Sequence, residues 1–225
     1  MKVLPVVSGG MDSITMLYDL IDRGHEIDEV ISYNYGQRHV KELDFAAHNV
    51  NRLGLKHKII DISFMAQLLD NSALTGDTEV PEGHYEQDNM TLTVVPNRNM
   101  ILASIAIGRA VNNGAEAIAL GVHSGDHAIY PDCRPEFVSA LRTASLIANY
   151  QPIDIIAPFL YDNKTSIIAR GLQIGVPYEQ TWTCYKGLDR ACGVCGSCQE
   201  RLEAFEANAI ADPLEYDSRE LLEKK

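Results

Sequence analysis

The stretch VLPVVSGGMDSI at residues 3–14 decides the fold, because it predicts a strand, a glycine turn and a helix in direct succession. The apolar residues 3–7 are typical of a short buried strand. After the turn, apolar side chains recur at helical spacing: Ile14, Leu17, Tyr18 and Ile21. Such a unit gathers backbone N–H groups and the positive end of a helix dipole at one point, which favours the binding of an anion.

The composition of this turn suits the polyphosphate of a nucleotide. Gly9 and Gly10 place no Cβ atom in the way of the phosphates, while Ser8 and Ser13 supply hydroxyl donors. The turn is not a Walker loop, since no Lys follows the glycines. Ser, Gly and Asp also form ordinary turns, so a purely structural turn is the alternative interpretation.

Composition limits the class of protein. The chain has 225 residues, 46% of them apolar, and a net charge of −12 that is spread along its length. No apolar run approaches the roughly 20 residues that span a bilayer, and the N-terminus has no signal-peptide pattern. A negative surface disfavours binding to nucleic-acid phosphates. We therefore expect a cytoplasmic protein with a small-molecule substrate, and neither a membrane nor a direct nucleic-acid partner.

Strands and helices alternate along the chain. This order predicts an α/β fold with a doubly wound parallel sheet, whose ligands bind at the carboxyl ends of the strands. The predicted strands are 3–7, 29–35, 58–62, 117–120 and 153–157, and the predicted helices are 38–53, 100–111, 135–149, 164–174 and 199–211. The helix at 100–111 is apolar almost all round, which is typical of a buried helix. Residues 1–180 would form the nucleotide-binding domain, and residues 70–93 predict either an insertion over the site or a solvated loop.

Four of the five cysteines lie within fifteen residues near the C-terminus: Cys184, Cys192, Cys195 and Cys198. Their spacing, with a glycine in each of the last two gaps, matches a tetrahedral zinc site. Four protein ligands fill that site, so the metal would be structural. An iron–sulfur cluster is the alternative, and redox dithiol chemistry fits less well because it needs two cysteines, not four. Residues 181–225 would then form a zinc-binding segment with a C-terminal helix, packed on the same domain.

Polar residues are concentrated in VHSGDHAIYPDCRPEF at 122–137, which directly follows a predicted strand. A loop at the carboxyl edge with so many polar groups indicates a substrate site. Its Cys133 is either a nucleophile or a buried structural thiol. Arg98 and Lys164 stand at predicted helix starts, where a positive charge is unfavourable unless an anion compensates it. Each would bind phosphate or a substrate carboxylate, or pair with a neighbouring acid.

The sequence SGGMDS at 8–13 resembles the SGGxDS loop of PP-loop enzymes, which cleave ATP between the α and β phosphates. Together, motifs along the whole chain resemble the 7-cyano-7-deazaguanine synthase family, QueC, also called ExsB. They are VVSGGMDS at 6–13, YGQRHVKEL at 35–43, VPNRNMILASIA at 95–106, YPDCRPEF at 130–137, and TWTCYKG with CGVCGSC at 181–198. Few protein families combine a PP-loop with a C-terminal four-cysteine site, so this combination is specific.

The resemblance implies an adenine nucleotide α-hydrolase-like fold and an ATP-dependent ligase. The implied reaction converts 7-carboxy-7-deazaguanine and ammonia to 7-cyano-7-deazaguanine, by way of an adenylated carboxylate and an amide. ATP, Mg²⁺ and Zn²⁺ would be bound, and the chain would form a homodimer.

The resemblance also assigns site residues. The nucleotide would contact Ser8, Gly9, Gly10, Met11, Asp12, Ser13 and Ile14. Catalysis would use Asp12, Ser13, Arg98 and Lys164. Asp12 would also help to hold Mg²⁺, which prefers oxygen ligands. The base would be bound by Tyr35, Gln37, Arg38, Asp126, Tyr130, Asp132 and Arg134, in a pocket walled in part by Trp182 and Tyr185.

Two alternative functions stay open. One is another PP-loop ligase that acts on a related deazapurine and stops at the amide. The other is a nonenzymatic, zinc-stabilised nucleotide-binding module, against which the intact SGGMDS loop argues. Sulfur transfer to tRNA would need a persulfide cysteine and a basic face, and the net charge argues against it.

Overall fold

The computed structural model describes residues 1–222, except for the side chains of Asp126 and His127. The predicted substrate contact of Asp126 therefore lies outside the described residues. The strands in that range are β1 Val3–Pro5, β2 Glu29–Asn34, β3 Lys56–Asp61, β4 Ala117–Ala119 and β5 Asp154–Ile156. The helices are α1 Met11–Asp22, α2 Glu42–Arg52, α3 Met65–Leu68, α4 Arg98–Asn113, α5 Pro135–Ile147, α6 Lys164–Gln173 and α7 Gly196–Ala207. Short 3₁₀ segments lie between them at Asp88–Thr93, Ser124–Ala128, Pro131–Cys133 and Tyr178–Gln180.

The strands pair in parallel throughout the described sheet. β4 lies between β1 and β5, β2 pairs with β3, and a bridge between Val6 and Ile31 joins the two groups. The resulting order is β3-β2-β1-β4-β5, so the direction of winding reverses beside β1. Open α/β sheets bind ligands at such a reversal, outside the carboxyl ends of the strands. The SGGMDS turn begins at this point.

Helices cover both faces of the sheet. Because side chains alternate along a strand, Val3 and Leu4 point to opposite faces. Leu4 packs in one cluster with Ala106 of α4 and Leu141 of α5. Val3 packs in a second cluster with side chains of α1, α2 and α6 and with Phe205 of α7. The predicted doubly wound α/β fold is confirmed.

The second helix starts later than the sequence predicts. α2 begins at Glu42, not at residue 38, because Gln37 fixes a turn at the end of β2. The Gln37 Oε1 accepts from the Tyr35 N–H at 2.9 Å, and its Nε2 donates to the Tyr33 carbonyl at 3.0 Å. A side chain that bonds to its own turn in this way competes with helix formation.

The apolar run at 100–111 predicted a helix that is buried on all sides, and this prediction is wrong for α4. One face packs on the sheet through the fully buried Ala103 and Ala106, whereas Met100 is 37% exposed. By length and composition alone, the stretch Asp88–Asn113 is apolar enough to cross a membrane, with a mean hydropathy of 1.2. Its contacts with β1 and β4 are those of a core helix in an α/β domain.

The C-terminal segment is tied down by a buried ion pair. α7 begins at Gly196, three residues before the predicted start at 199, and its Arg201 is fully buried. The Arg201 guanidinium makes two bonds to the Asp212 carboxylate, at 2.7 and 2.8 Å. α7 also packs on α6, so it lies directly against the α/β domain.

The turn after β1 depends on a glycine. Gly9 has a φ of +101°, and a Cβ atom there would lie 1.9 Å from the Glu42 carbonyl oxygen. We predict that Gly9→Ala lowers the free energy of unfolding by about 3 kcal/mol or more, because a backbone clash adds to the cost of a positive φ. Urea unfolding followed by circular dichroism measures the loss.

Gly24→Ala is the matched control for this substitution. Gly24 has a φ of +76°, and its Cβ position has no atom within 4 Å. It therefore carries the conformational cost alone, about 1–2 kcal/mol. Equal losses in the two variants would show that the contact with α2 does not constrain the turn.

Candidate active site

The SGGMDS turn is held by its own two serines. The Ser8 N–H donates to the Ser13 Oγ at 3.1 Å, and the Ser13 hydroxyl donates to the Gly10 carbonyl at 3.0 Å. The Gly10 N–H donates to the Ser8 Oγ at 3.2 Å. α1 begins within this motif, at Met11, so the N–H groups of its first turn have no carbonyl within the helix to accept them. Those N–H groups and the helix dipole can bind a phosphate anion.

Behind the turn, Lys164 lies between two carboxylates. Its Nζ is 2.6 Å from the Glu200 Oε2 and 3.5 Å from the Asp12 Oδ2, and the side chain is only 6% exposed. The His123 Nε2 approaches the same Asp12 oxygen at 3.7 Å. Lys164 is the first residue of α6, which Asn163 caps with its side chain. The two acids offset the unfavourable position of a cation at that helix start.

The second oxygen of the Asp12 carboxylate indicates a ligand. Among the described residues, the Asp12 Oδ1 is buried and has no hydrogen-bond partner. Buried polar atoms are nearly always bonded, so an oxygen without a partner beside a phosphate-binding turn requires an explanation. Mg²⁺ binds through carboxylate oxygens and substrate phosphates. The donor set therefore fits a magnesium ion held between Asp12 and a polyphosphate.

A pocket opens beside the turn, and much of its wall is aromatic. The tyrosine and tryptophan rings that line it are Tyr35, Tyr85, Tyr130, Trp182 and Tyr185. The Tyr130 hydroxyl bonds to the hydroxyls of Tyr185 at 3.2 Å and of Thr93 at 2.7 Å. The Trp182 ring N–H donates to the Cys184 carbonyl at 2.9 Å. Rings that are fixed in this way suit a flat heteroaromatic ligand.

The long segment before α4 lies against this pocket. Its Tyr85 and Met90 line the pocket, and its His84 Nε2 lies 2.9 Å from the Glu203 carboxylate of α7. Of the two interpretations of residues 70–93, this placement favours an insertion over the site.

Arg98 reaches the pocket because another segment caps its helix. The Asp132 Oδ2 accepts from the Asn99 N–H at 3.0 Å, which satisfies a first-turn donor of α4. Asn97 stands at the N-cap position with a φ of +58° and makes no side-chain cap bond. The Arg98 Nη1 donates to the Tyr35 hydroxyl at 3.4 Å inside the pocket. Burial raises the pKa of Tyr35 to about 12, so its hydroxyl stays neutral.

The structure separates the predicted site residues into two groups. Lining the pocket are Ser8, Gly10, Met11, Asp12, Ser13, Tyr35, Arg98, Tyr130 and Lys164. Gly9 lies behind the turn against α2, and Ile14 is in the core. Gln37 is buried in the turn before α2, and Arg38 donates to two backbone carbonyls of the 70–93 segment. Asp132 caps α4, and Arg134 is exposed outside the pocket lining.

The pocket also contains polar residues that the sequence analysis missed. Glu200 follows the last cysteine by two residues, and its role becomes visible only when α7 is placed beside Lys164. His39 and Glu42 belong to the YGQRHVKEL motif, which offered a signal, but the predicted helix at 38–53 treated them as ordinary helical positions.

Glu42 is the most perturbed carboxyl group in the pocket. It is 7% exposed, and the Gln37 Nε2 donates to its Oε1 at 3.1 Å. Burial raises the pKa of Glu42 to about 7, against the opposing effects of the Gln37 hydrogen bond and the Arg98 charge. Burial and the same Arg98 charge lower the pKa of His39 to about 3, so His39 is neutral.

The four cysteines of the C-terminal segment meet at one point. Their Sγ atoms all lie within 4.8 Å of one another, and all four residues are buried. Gly193 makes the turn between two of them possible: its φ is +78°, and a Cβ there would lie 1.7 Å from the Ser218 carbonyl oxygen. Four converging thiol groups can hold one tetrahedral metal ion and fill its coordination sphere.

Comparison with known proteins places this combination of turn, pocket and cysteine cluster in one family. The family model described as queuosine biosynthesis protein QueC matches residues 2–209. The chain belongs to the QueC family.

Curated relatives carry the name that the sequence motifs predicted. A protein of Hahella chejuensis named 7-cyano-7-deazaguanine synthase is 56% identical over 217 residues, which cover 96% of this chain and 94% of that protein. A protein of the same name from Marinobacter nauticus is 56% identical over 216 residues, which cover 96% and 97%. A third, from Pseudoalteromonas atlantica, is 54% identical with coverage of 96% and 99%.

Solved structures outside the QueC family share the fold alone. The U34-tRNA thiolase NcsA from Methanococcus maripaludis, solved with its [4Fe-4S] cluster, has a TM-score of 0.51 and 15% identity. The match covers 92% of this chain and 63% of that one. A predicted subunit of tRNA methyltransferase from Methanocaldococcus jannaschii has a TM-score of 0.51 and 14% identity, with coverage of 98% and 94%.

We predict that Glu42→Gln changes how the stability of this QueC family member depends on pH. The folded protein keeps the Glu42 proton up to about pH 7, whereas a free Glu loses it near pH 4.5. The unfolded state therefore binds fewer protons in this window, and wild-type stability falls as the pH rises through it. Gln has no proton to lose, so the variant should gain on the order of 3 kcal/mol relative to wild type between pH 4.5 and 8.

Urea unfolding at several pH values measures this difference, and Glu29→Gln is the matched control. The Arg109 guanidinium lowers the pKa of Glu29, so its stabilising effect is present above its unfolded pKa and is lost as the pH falls. Relative to wild type, the control should therefore lose stability as the pH rises to 4.5, and the difference should stay constant between pH 4.5 and 8. Parallel curves for wild type and Glu42→Gln would contradict the buried, protonated state of Glu42.

Proposed function

We propose that this chain is an ATP-dependent 7-cyano-7-deazaguanine synthase, which converts 7-carboxy-7-deazaguanine and ammonia to the nitrile. The observation that carries the proposal is the position of the SGGMDS turn directly beside an aromatic pocket that Arg98 and Lys164 also line. A nucleotide phosphate and a flat anionic base would thus meet at the carboxyl edge of the sheet. The relatives of the same name at 54 to 56% identity support it.

The chemistry requires that the carboxylate be activated, because an anionic carboxylate is a poor electrophile. A substrate oxygen attacks the α-phosphate of ATP, which releases pyrophosphate and leaves an acyl adenylate. Ammonia displaces AMP to give the amide. A second ATP activates the amide oxygen in the same way, and loss of AMP and of both remaining protons from the nitrogen gives the nitrile.

In this scheme the protein contributes position and charge. The N–H groups at the start of α1, with Ser8 and Ser13, hold the departing pyrophosphate. Lys164 and Arg98 stabilise the negative charge that develops during transfer. Asp12 would hold Mg²⁺ through its Oδ1, and the ion would supply further positive charge to the phosphates.

Zinc at the four cysteines would act indirectly. Cys195 and Cys198 flank the start of α7, and Glu200 follows on the same helix with a 2.6 Å bond to Lys164. A metal that fixes this turn therefore also fixes the lysine beside the phosphate site. Because four thiolates close the coordination sphere, the ion would not take part in the chemistry.

Other parts of the proposal concern partners. We expect free ammonia as the nitrogen donor and a homodimer as the assembly, in the cytoplasm. The net charge of −12 supports a small-molecule substrate over a nucleic acid, since phosphate backbones are repelled by such a surface.

We predict that ATP is cleaved between the α and β phosphates. Incubation with ATP, Mg²⁺, ammonium and 7-carboxy-7-deazaguanine should give AMP and pyrophosphate, with two AMP formed for each nitrile. Mass analysis of the nucleotides and of the base measures both products. ADP and phosphate would contradict the adenylate mechanism, and an amide as the final product would move the chain to the amide-forming ligases.

Asp12→Asn is the variant that links this reaction to the turn. It replaces one carboxylate oxygen with an amide nitrogen and removes the negative charge at a site outside the hydrophobic clusters, so turnover should fall about a hundredfold or more while the unfolding midpoint changes little. A large loss of stability with retained turnover per folded molecule would make the role of Asp12 structural.

We predict that Cys195→Ser removes the metal and lowers turnover at least tenfold. The free energy of metal binding is also the free energy that folds this segment, so the first turns of α7 should unfold without the metal. Glu200 should then no longer bond to Lys164. Elemental analysis and the nitrile assay on the same sample measure the two effects. Cys133→Ser is the control for metal content, since Cys133 is buried but lies outside the cluster.

Two results would contradict this account of the metal. Full metal loss with unchanged turnover would separate the cysteine cluster from the active site. Iron and sulfide in the elemental analysis would replace zinc with a cluster.

A further inference from the structure

Glu42 occupies a position that the scheme above does not use. It is the first residue of α2, its backbone carbonyl packs on Gly9, and its side chain lines the pocket together with Ser8, Tyr35 and Arg98. A carboxyl group at this place lies next to the phosphate-binding turn and next to the aromatic wall. It is therefore within the space where an activated carboxylate and its nucleophile would meet.

The surroundings of Glu42 leave its charge without a direct counter-ion. The Gln37 Nε2 donates to its Oε1 at 3.1 Å, and the His39 Nε2 lies 3.5 Å from the same oxygen. Within residues 1–222, no Lys or Arg nitrogen lies within 4 Å of the Glu42 carboxylate. The cation that faces it at longer range is Arg98 on α4.

Such a group is costly for stability, which indicates a functional reason for it. An ionised carboxylate that is buried without a paired cation is strongly disfavoured, so the neutral and charged forms of Glu42 are brought close in energy. Its pKa of about 7 is the consequence of this burial. A group that gains and loses a proton easily near neutral pH is suited to general acid–base catalysis.

The proposed reaction needs a proton acceptor at two steps. When ammonia attacks the acyl adenylate, the C–N bond forms, the C–O bond to AMP breaks with its electron pair on AMP, and the nitrogen loses a proton. In the second step the remaining N–H bond of the adenylated imidate breaks. Its electron pair forms the third C–N bond while the C–O bond to AMP breaks again. Each of these two steps releases one proton from the same nitrogen. The third proton of ammonia leaves the amide nitrogen for solvent when the amide oxygen is adenylated to give the imidate.

We propose that Glu42 is the catalytic base that accepts the nitrogen proton in both steps, with Gln37 holding its carboxylate in place. The inference rests on the proposed function, since both protons belong to that reaction. Adenylation of the carboxylate transfers no proton, so Glu42 has no part in forming the first pyrophosphate. The neutral Glu42 carboxyl returns its proton to solvent after AMP leaves.

A different role would place the same carboxylate on the base. The N–H groups of a guanine-type edge also pair with a carboxylate, and Glu42 would then determine affinity for the deazapurine and not the rate of amination. The two roles differ in the step they affect, which makes them separable by experiment.

The test uses the full chain and Glu42→Gln, which keeps the size of the side chain and removes its basicity. Exchange of labelled pyrophosphate into ATP, with 7-carboxy-7-deazaguanine and without ammonium, should stay within a few fold of wild type. The kcat for amide formation from ammonium, and for nitrile formation from added amide, should each fall about a hundredfold or more. The acidic limb of the wild-type pH profile, near pH 7, should disappear in the variant.

Hydroxylamine provides a rescue, because its nitrogen is more acidic than that of ammonia once it has attacked, so the proton can pass to water without Glu42. It should restore formation of the hydroxamate in Glu42→Gln to within about tenfold of wild type. Glu29→Gln is the matched control, since Glu29 is a partly buried carboxylate bonded to Arg109 outside the pocket lining. It should keep wild-type kinetics at a temperature where circular dichroism shows it folded.

Three results would overturn the proposal. Unchanged amination in Glu42→Gln would exclude Glu42 as the base. A raised KM for the deazapurine with an unchanged kcat would assign Glu42 to base recognition. Loss of pyrophosphate exchange together with amination, without hydroxylamine rescue, would assign it to positioning. Wild-type enzyme that forms no nitrile in the same assay would instead refute the proposed function.

Discussion

The backbone contact between Gly9 and the first turn of α2 sets the geometry of the site. At a φ of +101°, Gly9 accepts a hydrogen bond from the Trp182 N–H at 3.0 Å, while its Cα rests against the Glu42 carbonyl. Three segments that are distant in sequence therefore meet at one residue without a side chain. A displacement of this turn would move the phosphate-binding N–H groups, the Trp182 ring and the Glu42 carboxyl together.

The charges on the other side of the turn connect it to the cysteine cluster. Asp12, Lys164 and Glu200 form a chain of ion pairs in which the lysine is shared by two acids. Glu200 holds the lysine at 2.6 Å independently of Asp12, so the ammonium group would stay in place if Asp12 binds the proposed cation and polyphosphate. Glu200 lies two residues after Cys198 on α7. The position of the cysteine cluster therefore affects the position of Lys164 through one turn of helix.

The features that sequence could predict are those encoded by contiguous residues. The strand, turn and helix at 3–22, the alternation of strands and helices, and the four cysteines follow from local periodicity and spacing, and the fold confirms the first two. The start of α2 could not be predicted, because Gln37 stabilises a turn through bonds to β2 that periodicity does not express. Asp132 lies in a motif beside the site but caps α4, a role that depends on a helix 33 residues away.

The overall negative charge of the chain contrasts with the positive groups that line the pocket. A net charge of −12 repels ATP and a carboxylate substrate, but salt screens this repulsion beyond about 8 Å under physiological conditions. Within that distance, Lys164, Arg98 and the start of α1 determine the potential that an anion meets. The same negative field favours ammonium, the charged form of the nitrogen donor, over neutral ammonia. Ammonium must release one proton before it can attack a carbonyl, and the nitrogen must release another as it attacks. Glu42, which lines the same pocket, would accept this second proton in the proposed reaction.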